Sequence, residues 1–409
     1  MRPGCCRRLS KALPPLSKTQ ALDPPTRLRR PASERPILIG HEIYRASSYG
    51  PYHPLRVPRV STVLDLTHAL GWVAPGQFLR APRIKPEALH VWHTPEYVAA
   101  LYRAEQEGAV SDAVRARHNI GTHANPVFPE MWRRPATSAG GSMLAGMLLE
   151  EGGIVHHPAG GTHHAMPDAA GGFCYLNDPV LSILSLRAHG AQRIAYVDID
   201  AHHCDGVEAG LAQDRECLLV SVHEENRWPR TGPLGKVGSA VNLPVPRGLN
   251  DTEFAMILEE LIVPLVTQFQ PDAVVLQCGA DAVLEDPLSR LALSNRAHFS
   301  AVAALRPLSP RYLVLGGGGY NPWTVGRLWT GVWGVLNNHD MPARLPVQAR
   351  EVLAALEWHG VPRARRTPAP ELIDTLQDAP REGPIRERVR ADVAHLRQIT
   401  GLQAEGRAT

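Results

Sequence analysis

Four apolar runs constrain this chain more than any other feature of it. They are Arg193-Ile-Ala-Tyr-Val-Asp-Ile-Asp200, Cys217-Leu-Leu-Val-Ser-Val222, Ala273-Val-Val-Leu-Gln277 and Arg311-Tyr-Leu-Val-Leu315. None alternates apolar with polar. A strand reads that way when both faces of its sheet are buried, as in parallel sheets. Helical stretches separate the runs, over residues 177–189, 252–269 and 296–306. Strand, helix, strand in repetition predicts a single α/β domain with a central parallel sheet flanked by helices on both faces. A hydrophobic content of 44% is enough to fill such a core. No apolar run reaches the ~18–20 residues of a membrane-spanning helix, so no membrane partner is expected.

Residues 1–36 stand apart. They hold nine Lys/Arg against two Asp/Glu, seven prolines, the adjacent Cys5 and Cys6, and the cluster Arg27, Arg29, Arg30. No apolar segment follows the basic start, so a secretory signal is not expected. A disordered extension, a start placed too far upstream and an organelle transit peptide stay open; the prolines disfavour the last. The whole chain carries +3, so the rest carries −4. That mildly acidic body argues against a nucleic-acid partner. The expected division is an extension over 1–36, a catalytic domain over 37–362, opened by Ile37-Leu38-Ile39, and a charged segment over 363–409. In the last, the spacing of Val389, Val393 and Leu396 predicts a closing surface helix.

Ligands of open α/β sheets bind beyond the carboxyl ends of the strands, and the reactive side chains cluster there. One strand runs into Asp200-Ala-His-His-Cys-Asp-Gly206, another into Cys278-Gly-Ala-Asp281, another into Gly316-Gly-Gly-Gly-Tyr320, and a loop carries Gly160-Gly-Thr-His-His164. Asp198, Asp200 and His202 share one side of an extended chain. Burying two carboxylates and an imidazole together calls for a counter-charge. Asp200, His202 and Asp281 would give a three-ligand metal site with a position left open, the catalytic arrangement of zinc; iron(II), cobalt(II) or manganese(II) suits the same donors. The competing reading makes the aspartates caps for loop amides.

Nineteen histidines predict about one His-His pair by chance, and three are present. His156-His157 is the expected bystander. His203 faces away from His202 and is expected to pack. His163-His164 follows two glycines and suits proton transfer beside a metal that activates water; Asp198 and Asp205 are the candidate carboxylates to orient the rings. The four glycines before Tyr320 place a phenol with no neighbouring side chains, suited to an oxyanion. Cys217 and Cys278 read as buried thiols, and nucleophilic chemistry at Cys204 beside His203 is a weak alternative.

Gly160-Gly-Thr-His-His-Ala165, Gly172-Phe-Cys-Tyr-Leu-Asn-Asp178, Tyr196-Val-Asp-Ile-Asp-Ala-His-His203, Cys278-Gly-Ala-Asp281 and Gly316-Gly-Gly-Gly-Tyr-Asn321 together resemble the metal-dependent histone deacetylase superfamily over roughly residues 37–340. The bacterial acetoin-utilisation type is the branch it looks most like. The resemblance implies an arginase-like fold, zinc on Asp200, His202 and Asp281, and proton transfer by His163 and His164 held by Asp198 and Asp205. It also implies a carbonyl contact from Tyr320, a substrate amide on the main chain of Gly172, and an acyl-lysine channel walled by Phe173 and Trp228. Arg59 would line an inner channel. A structural potassium is also implied near Asp198, Asp200, His202, Ser221 and Val222, mostly through backbone oxygens.

The chain departs from the pattern. Cys204 stands where glycine is frequent, and Trp228-Pro-Arg-Thr-Gly232 replaces phenylalanine with Pro-Gly. Ala124 replaces the rim aspartate that grips a peptide backbone. Leu288 replaces the gatekeeping glutamate of polyamine-specific relatives, which favours acetyl-lysine over acetylpolyamines. The expected activity is zinc-dependent removal of acetyl groups from lysine side chains. The alternatives are deacetylation of small acylated amines, a silent acyl-lysine binding module and, more weakly, a ureohydrolase. An arginine-heavy composition, 39 Arg to 4 Lys, fits a bacterial, cytoplasmic protein whose substrate is not a histone.

Overall fold

The computed structural model describes residues 35–50, 52–359, 362 and 365–402. The basic extension therefore lies outside the described residues, Arg35 and Pro36 excepted. Nine strands form one sheet: β1 (Ile37–Gly40), β2 (Phe78–Arg80), β3 (Gly153–His157), β4 (Ile194–Asp198), β5 (Cys217–Glu224), β6 (Gly235–Val237), β7 (Ala240–Val245), β8 (Ala273–Gln277) and β9 (Arg311–Leu315). Their order is β2-β1-β3-β9-β8-β4-β5-β7-β6. All neighbours are parallel except β6 and β7.

The two-sided burial read from the sequence is present. On β4, Ala195 and Val197 face one apolar cluster while Ile194 and Tyr196 face the other. The first is closed by helical segments spanning 251–269, 295–305 and 322–336. The second is closed chiefly by helices Arg133–Leu148 and Asp178–Ala188. Each fully buried Val, Leu or Ile in these layers contributes roughly 1.5–3 kcal/mol. The closing helix exists, over Glu387–Thr400, but is more than a surface decoration. Val389, Val393 and Leu396 are buried in the same cluster as β4 and β5.

Two strand ends differ from the sequence reading. β4 stops at Asp198, because the Asp198 carboxylate accepts the main-chain N of Asp200 at 3.0 Å. β5 continues to Glu224, because β7 pairs opposite His223 and Glu224. The segment 251–269 is helical throughout but contains a π turn over Leu258–Ile262.

The topology places the site. After β3 the chain crosses to β4 and leaves room between them that β8 and β9 later fill. The carboxyl ends of β3, β9, β8 and β4 are thus adjacent, and the four polar clusters emerge side by side.

Candidate active site

Asp200 and His202 lie just beyond β4, and Asp281 sits in a 3-10 turn (Ala280–Ala282) beyond β8. Their ligand atoms lie within 4.8 Å of one another, and all three residues are buried. His202 Nδ1 faces Asp281 Oδ2 at 2.9 Å and Asp200 Oδ1 at 3.2 Å. Burial, then the neighbouring Asp200, pushes the Asp281 carboxyl up. Burial alone would lower His202, yet the two carboxylates lift it to about 10. The cluster is short of positive charge, as a cation site made of protein donors must be. Glycine lets the chain close around it: a Cβ at Gly279 would lie 2.1 Å from Asp200 Oδ2, and one at Gly318 would lie 2.0 Å from Asp281 Oδ2. One nitrogen and two carboxylates suit zinc and its divalent neighbours, so these residues fit the expected metal. The aspartates also serve loop amides: Asp200 accepts from Gly318 N at 2.6 Å, and Asp281 from Ala201 N at 2.9 Å. The two readings of the aspartates are therefore compatible.

The paired imidazoles stand against this cluster. His163 Nδ1 is 2.7 Å from Asp198 Oδ2, and His164 Nδ1 is 2.7 Å from Asp205 Oδ1. Asp198 Oδ2 also accepts from the Tyr196 hydroxyl at 2.6 Å. With only the protein's own charges present, burial would lower His163, but Asp198 and Asp200 overcome it and lift the ring to about 9. Burial and the adjoining His163 lower His164 to about 4. Neighbouring titratable groups driven in opposite directions are what paired acid and base roles require.

Tyr320 follows the glycine run and is buried. Its main-chain N donates to Asp286 Oδ2 at 2.7 Å; its hydroxyl makes no hydrogen bond to a described residue. Burial, then Asp281, pushes the phenol well above its ordinary value, so it remains a donor.

An outer pocket is lined by Phe173, Trp228, Leu288, Tyr320, His164 and His202 among others, with Ala124 at its edge. The Phe173 ring meets Tyr320 edge-on at 5.8 Å, and Trp228 meets His164 edge-on at 4.6 Å. Gly172 has φ +49°, and a Cβ there would lie 2.5 Å from both His164 and Trp228. Only glycine suits that conformation and that space. Phe173 also takes a left-handed conformation, φ +70°, and its N donates to Asn125 Oδ1 at 3.1 Å. An inner cavity continues past His163 between Tyr44, Tyr49, Arg59 and Arg134. There Arg59 Nη1 donates to Gly317 O at 2.7 Å, and its guanidinium lies 5.3 Å over Trp329. Ser221 and Val222 lie on β5, where Ser221 is paired in register with Asp198.

The remaining candidates fall outside this pocket. His156 and His157 are buried, their ring nitrogens on main-chain oxygens of Val314, Trp329, Ile39 and Ser138. His203 bonds Thr231 and Glu208. Cys204 is buried and its thiol is pushed well up by that burial, which disfavours a nucleophilic thiolate.

Sequence reasoning missed three supports. Asp178 accepts from Gly161 N, Thr162 N and Ser142 Oγ at 2.9, 2.8 and 2.6 Å, fixing the loop before His163. Asn177 Nδ2 donates to the main-chain oxygens of His163 and Ala165. Asp286 joins Tyr320 N to Leu288 N. The helix-start pattern Asn177-Asp178-Pro179 was a usable signal for the first two; Asp286 gave none.

Comparison with known proteins gives the family. Residues 53–336 match the family described as histone deacetylase domain. The chain belongs to the histone deacetylase family. It is 34% identical over 309 residues to Histone deacetylase 9 of Arabidopsis thaliana, covering 73% of this chain and 72% of that one. It is 33% identical to Histone deacetylase 1 of rice over 373 residues, covering 88% and 70%. Among solved structures, a histone deacetylase homolog from Aquifex aeolicus superposes with a TM-score of 0.83 at 33% identity, covering 88% of this chain and 99% of its own. A second structure, of a histone deacetylase homolog complexed with SAHA, matches equally well. The histone deacetylase fold is thus this chain's fold, and deacetylation is the activity its family supports.

Proposed function

We propose that this deacetylase is a zinc-dependent amidohydrolase that removes acetyl or related acyl groups from lysine side chains. The observation that carries the reading is a convergence at one pocket. A three-donor cation cradle, two imidazoles each backed by a carboxylate, and a phenol with no hydrogen-bond partner among the described residues meet there. A binding module needs no such proton-handling pair. Zinc on Asp200, His202 and Asp281 would polarise the acyl carbonyl and bring the pKa of water towards ~7; iron(II) or cobalt(II) suits the same donors.

The protein's own groups do the rest. Phe173 and Trp228 flank the alkyl chain, and the main chain at Gly172 meets the amide. Of His163 and His164, one takes a proton from the attacking water at Nε2 and the other delivers a proton to the leaving amine. Asp198 and Asp205 hold the rings by Nδ1. The Tyr320 hydroxyl donates to the carbonyl oxygen as negative charge builds there. Arg59 gives a departing carboxylate a cationic neighbour. Leu288 offers no counter-charge to a second amine, which disfavours acetylpolyamines. A structural potassium near Asp198, Asp200, His202, Ser221 and Val222, held mostly through main-chain oxygens, belongs to the same reading.

The same reading assigns 37–362 to catalysis, with 1–36 an extension and 363–409 a charged closing segment. It places the protein in the bacterial acetoin-utilisation branch and the cytoplasm. No helix among the described residues is long and apolar enough to cross a membrane. A panel of acetyl-lysine peptides and acetylpolyamines tests the substrate; faster turnover of the polyamines would contradict the lysine reading.

A further inference from the structure

The outer pocket has a charge imbalance that amide hydrolysis does not require. Its described lining includes Arg227 and Asn119, but no Asp or Glu. Arg227 is held in place: its Nε and Nη2 donate to the two oxygens of Glu224 at 2.9 and 2.8 Å. Glu224 is buried, and its Oε2 also accepts from the main-chain N of Arg290 at 2.8 Å. One carboxylate therefore ties the loop that carries Trp228 to the loop that carries Leu288. Bidentate clamping of this kind fixes an arginine's plane as well as its position.

More positive charge sits on the same loops. Arg230 is exposed, two residues beyond Trp228, and its main-chain N donates to Arg227 O at 2.7 Å. Arg290 is exposed and its guanidinium donates to Ser289 O. Neither makes an ion pair with a described residue. Arg247 Nε lies 3.6 Å from Glu224, and the next carboxylate, Glu225, is taken by Arg388 at 3.1 Å. On the Leu288 loop itself Glu285 is paired with Arg381 and Asp286 is spent on main-chain N–H groups, so neither carboxylate answers Arg230 or Arg290, the two exposed arginines of the loops that carry Trp228 and Leu288.

We propose that this rim selects acylated amines that carry an anionic group at the far end of the alkyl chain, where it meets the pocket mouth. The proposal rests on reading the pocket as a deacetylase pocket and names its substrate class. The anion can be an acidic side chain flanking an acetyl-lysine, or the α-carboxylate of a free acylated amino acid. Partly exposed ion pairs are individually weak and screened by salt. The expected discrimination is therefore about fivefold in kcat/KM, carried mainly by KM.

The test uses zinc-loaded full-length protein and acetyl-lysine peptides identical except for flanking Asp, Ala or Lys. Free Nε-acetyl-lysine is the fourth arm. Each is measured at about 10 mM and about 1 M salt, where the screening length falls roughly tenfold. The rim predicts Asp above Ala above Lys, with the spread shrinking at high salt. It also predicts an Asp-to-Ala ratio near one in Arg230→Gln combined with Arg290→Gln. The ratio is the readout, so a variant that is slower overall still reports. An Asp preference with free acetyl-lysine no faster than the Ala peptide places the anion in a flanking residue, and an Asp preference with free acetyl-lysine faster than the Ala peptide extends it to a small molecule; either supports the rim. Equal rates for Asp and Lys, a Lys preference, or an Asp preference that survives the double substitution would overturn it. No hydrolysis in any arm would overturn the deacetylase reading beneath it, and the proposal with it.

Discussion

The Nε2 atoms of His163 and His164 lie 3.0 Å apart, while their Nδ1 atoms each sit 2.7 Å from a different carboxylate. An Nδ1–H given to each carboxylate leaves both Nε2 atoms as acceptors. Two acceptors at that distance are satisfied by one proton between them. The pair is therefore built to hold a single extra proton, which is the state from which one ring accepts and the other donates.

Asp205→Asn removes the charge behind His164 without removing the side chain's bulk. Turnover is expected to fall by ~10²-fold or more, as when the carboxylate behind a catalytic imidazole is neutralised. Bound zinc, measured by elemental analysis, should stay at the wild-type level, because Asp205 is not among the cation donors. Unchanged kcat would remove His164 from proton transfer.

Tyr320→Phe deletes one hydroxyl that makes no hydrogen bond to a described residue, so the fold should be unaffected. Loss of one oxyanion donor predicts a fall in kcat of ~10²–10³. Unaltered kcat with unaltered metal would show that the phenol only packs.

Gly172→Ala places a Cβ 2.5 Å from His164 and Trp228 at a φ of +49°. The substitution is expected to displace the Trp228 wall and to raise KM for long acyl-lysine peptides more than for a minimal acetyl amide. Steady-state kinetics on the two substrates checks this. An equal change for both would mean that Trp228 does not wall the channel.

Glu253 ties the helix that begins at Asp251 to the closing helix through Arg386, at 2.6 Å. Burial would raise this carboxyl, but the Arg386 bond outweighs it and holds the group below its ordinary 4.5. A folded pKa below the unfolded one means stability that is fully present above about pH 5 and is lost as pH falls through the depressed value. Glu253→Gln should lower Tm at pH 7 and narrow the gap to wild type by pH 3. A gap independent of pH would assign the loss to packing rather than charge.

Much of this is legible in the sequence alone. β8 and β9 fall where their apolar runs end, because Cys278-Gly279 and the glycines from Gly316 cannot continue a packed strand. Asp200, His202 and Asp281 were visible as polar residues at strand ends, which parallel topology brings together. The supports were not. Asp178 acts 17 residues from Gly161, and Glu224 acts 66 residues from Arg290. Such contacts depend on which loops the folded sheet sets side by side, and no local spacing reports that. β4 ends two residues before its apolar pattern does for a related reason: Asp198 spends its carboxylate on the amide of Asp200, a local competition that the pattern conceals.

The most direct measurement is deacetylation of a fluorogenic acetyl-lysine substrate by purified protein before chelation, after chelation and after zinc is returned, with His202→Ala beside it. The account predicts activity that disappears with the chelator, returns with zinc, and is absent in His202→Ala together with bound metal. Activity that persists in metal-free protein, or in His202→Ala, would contradict it.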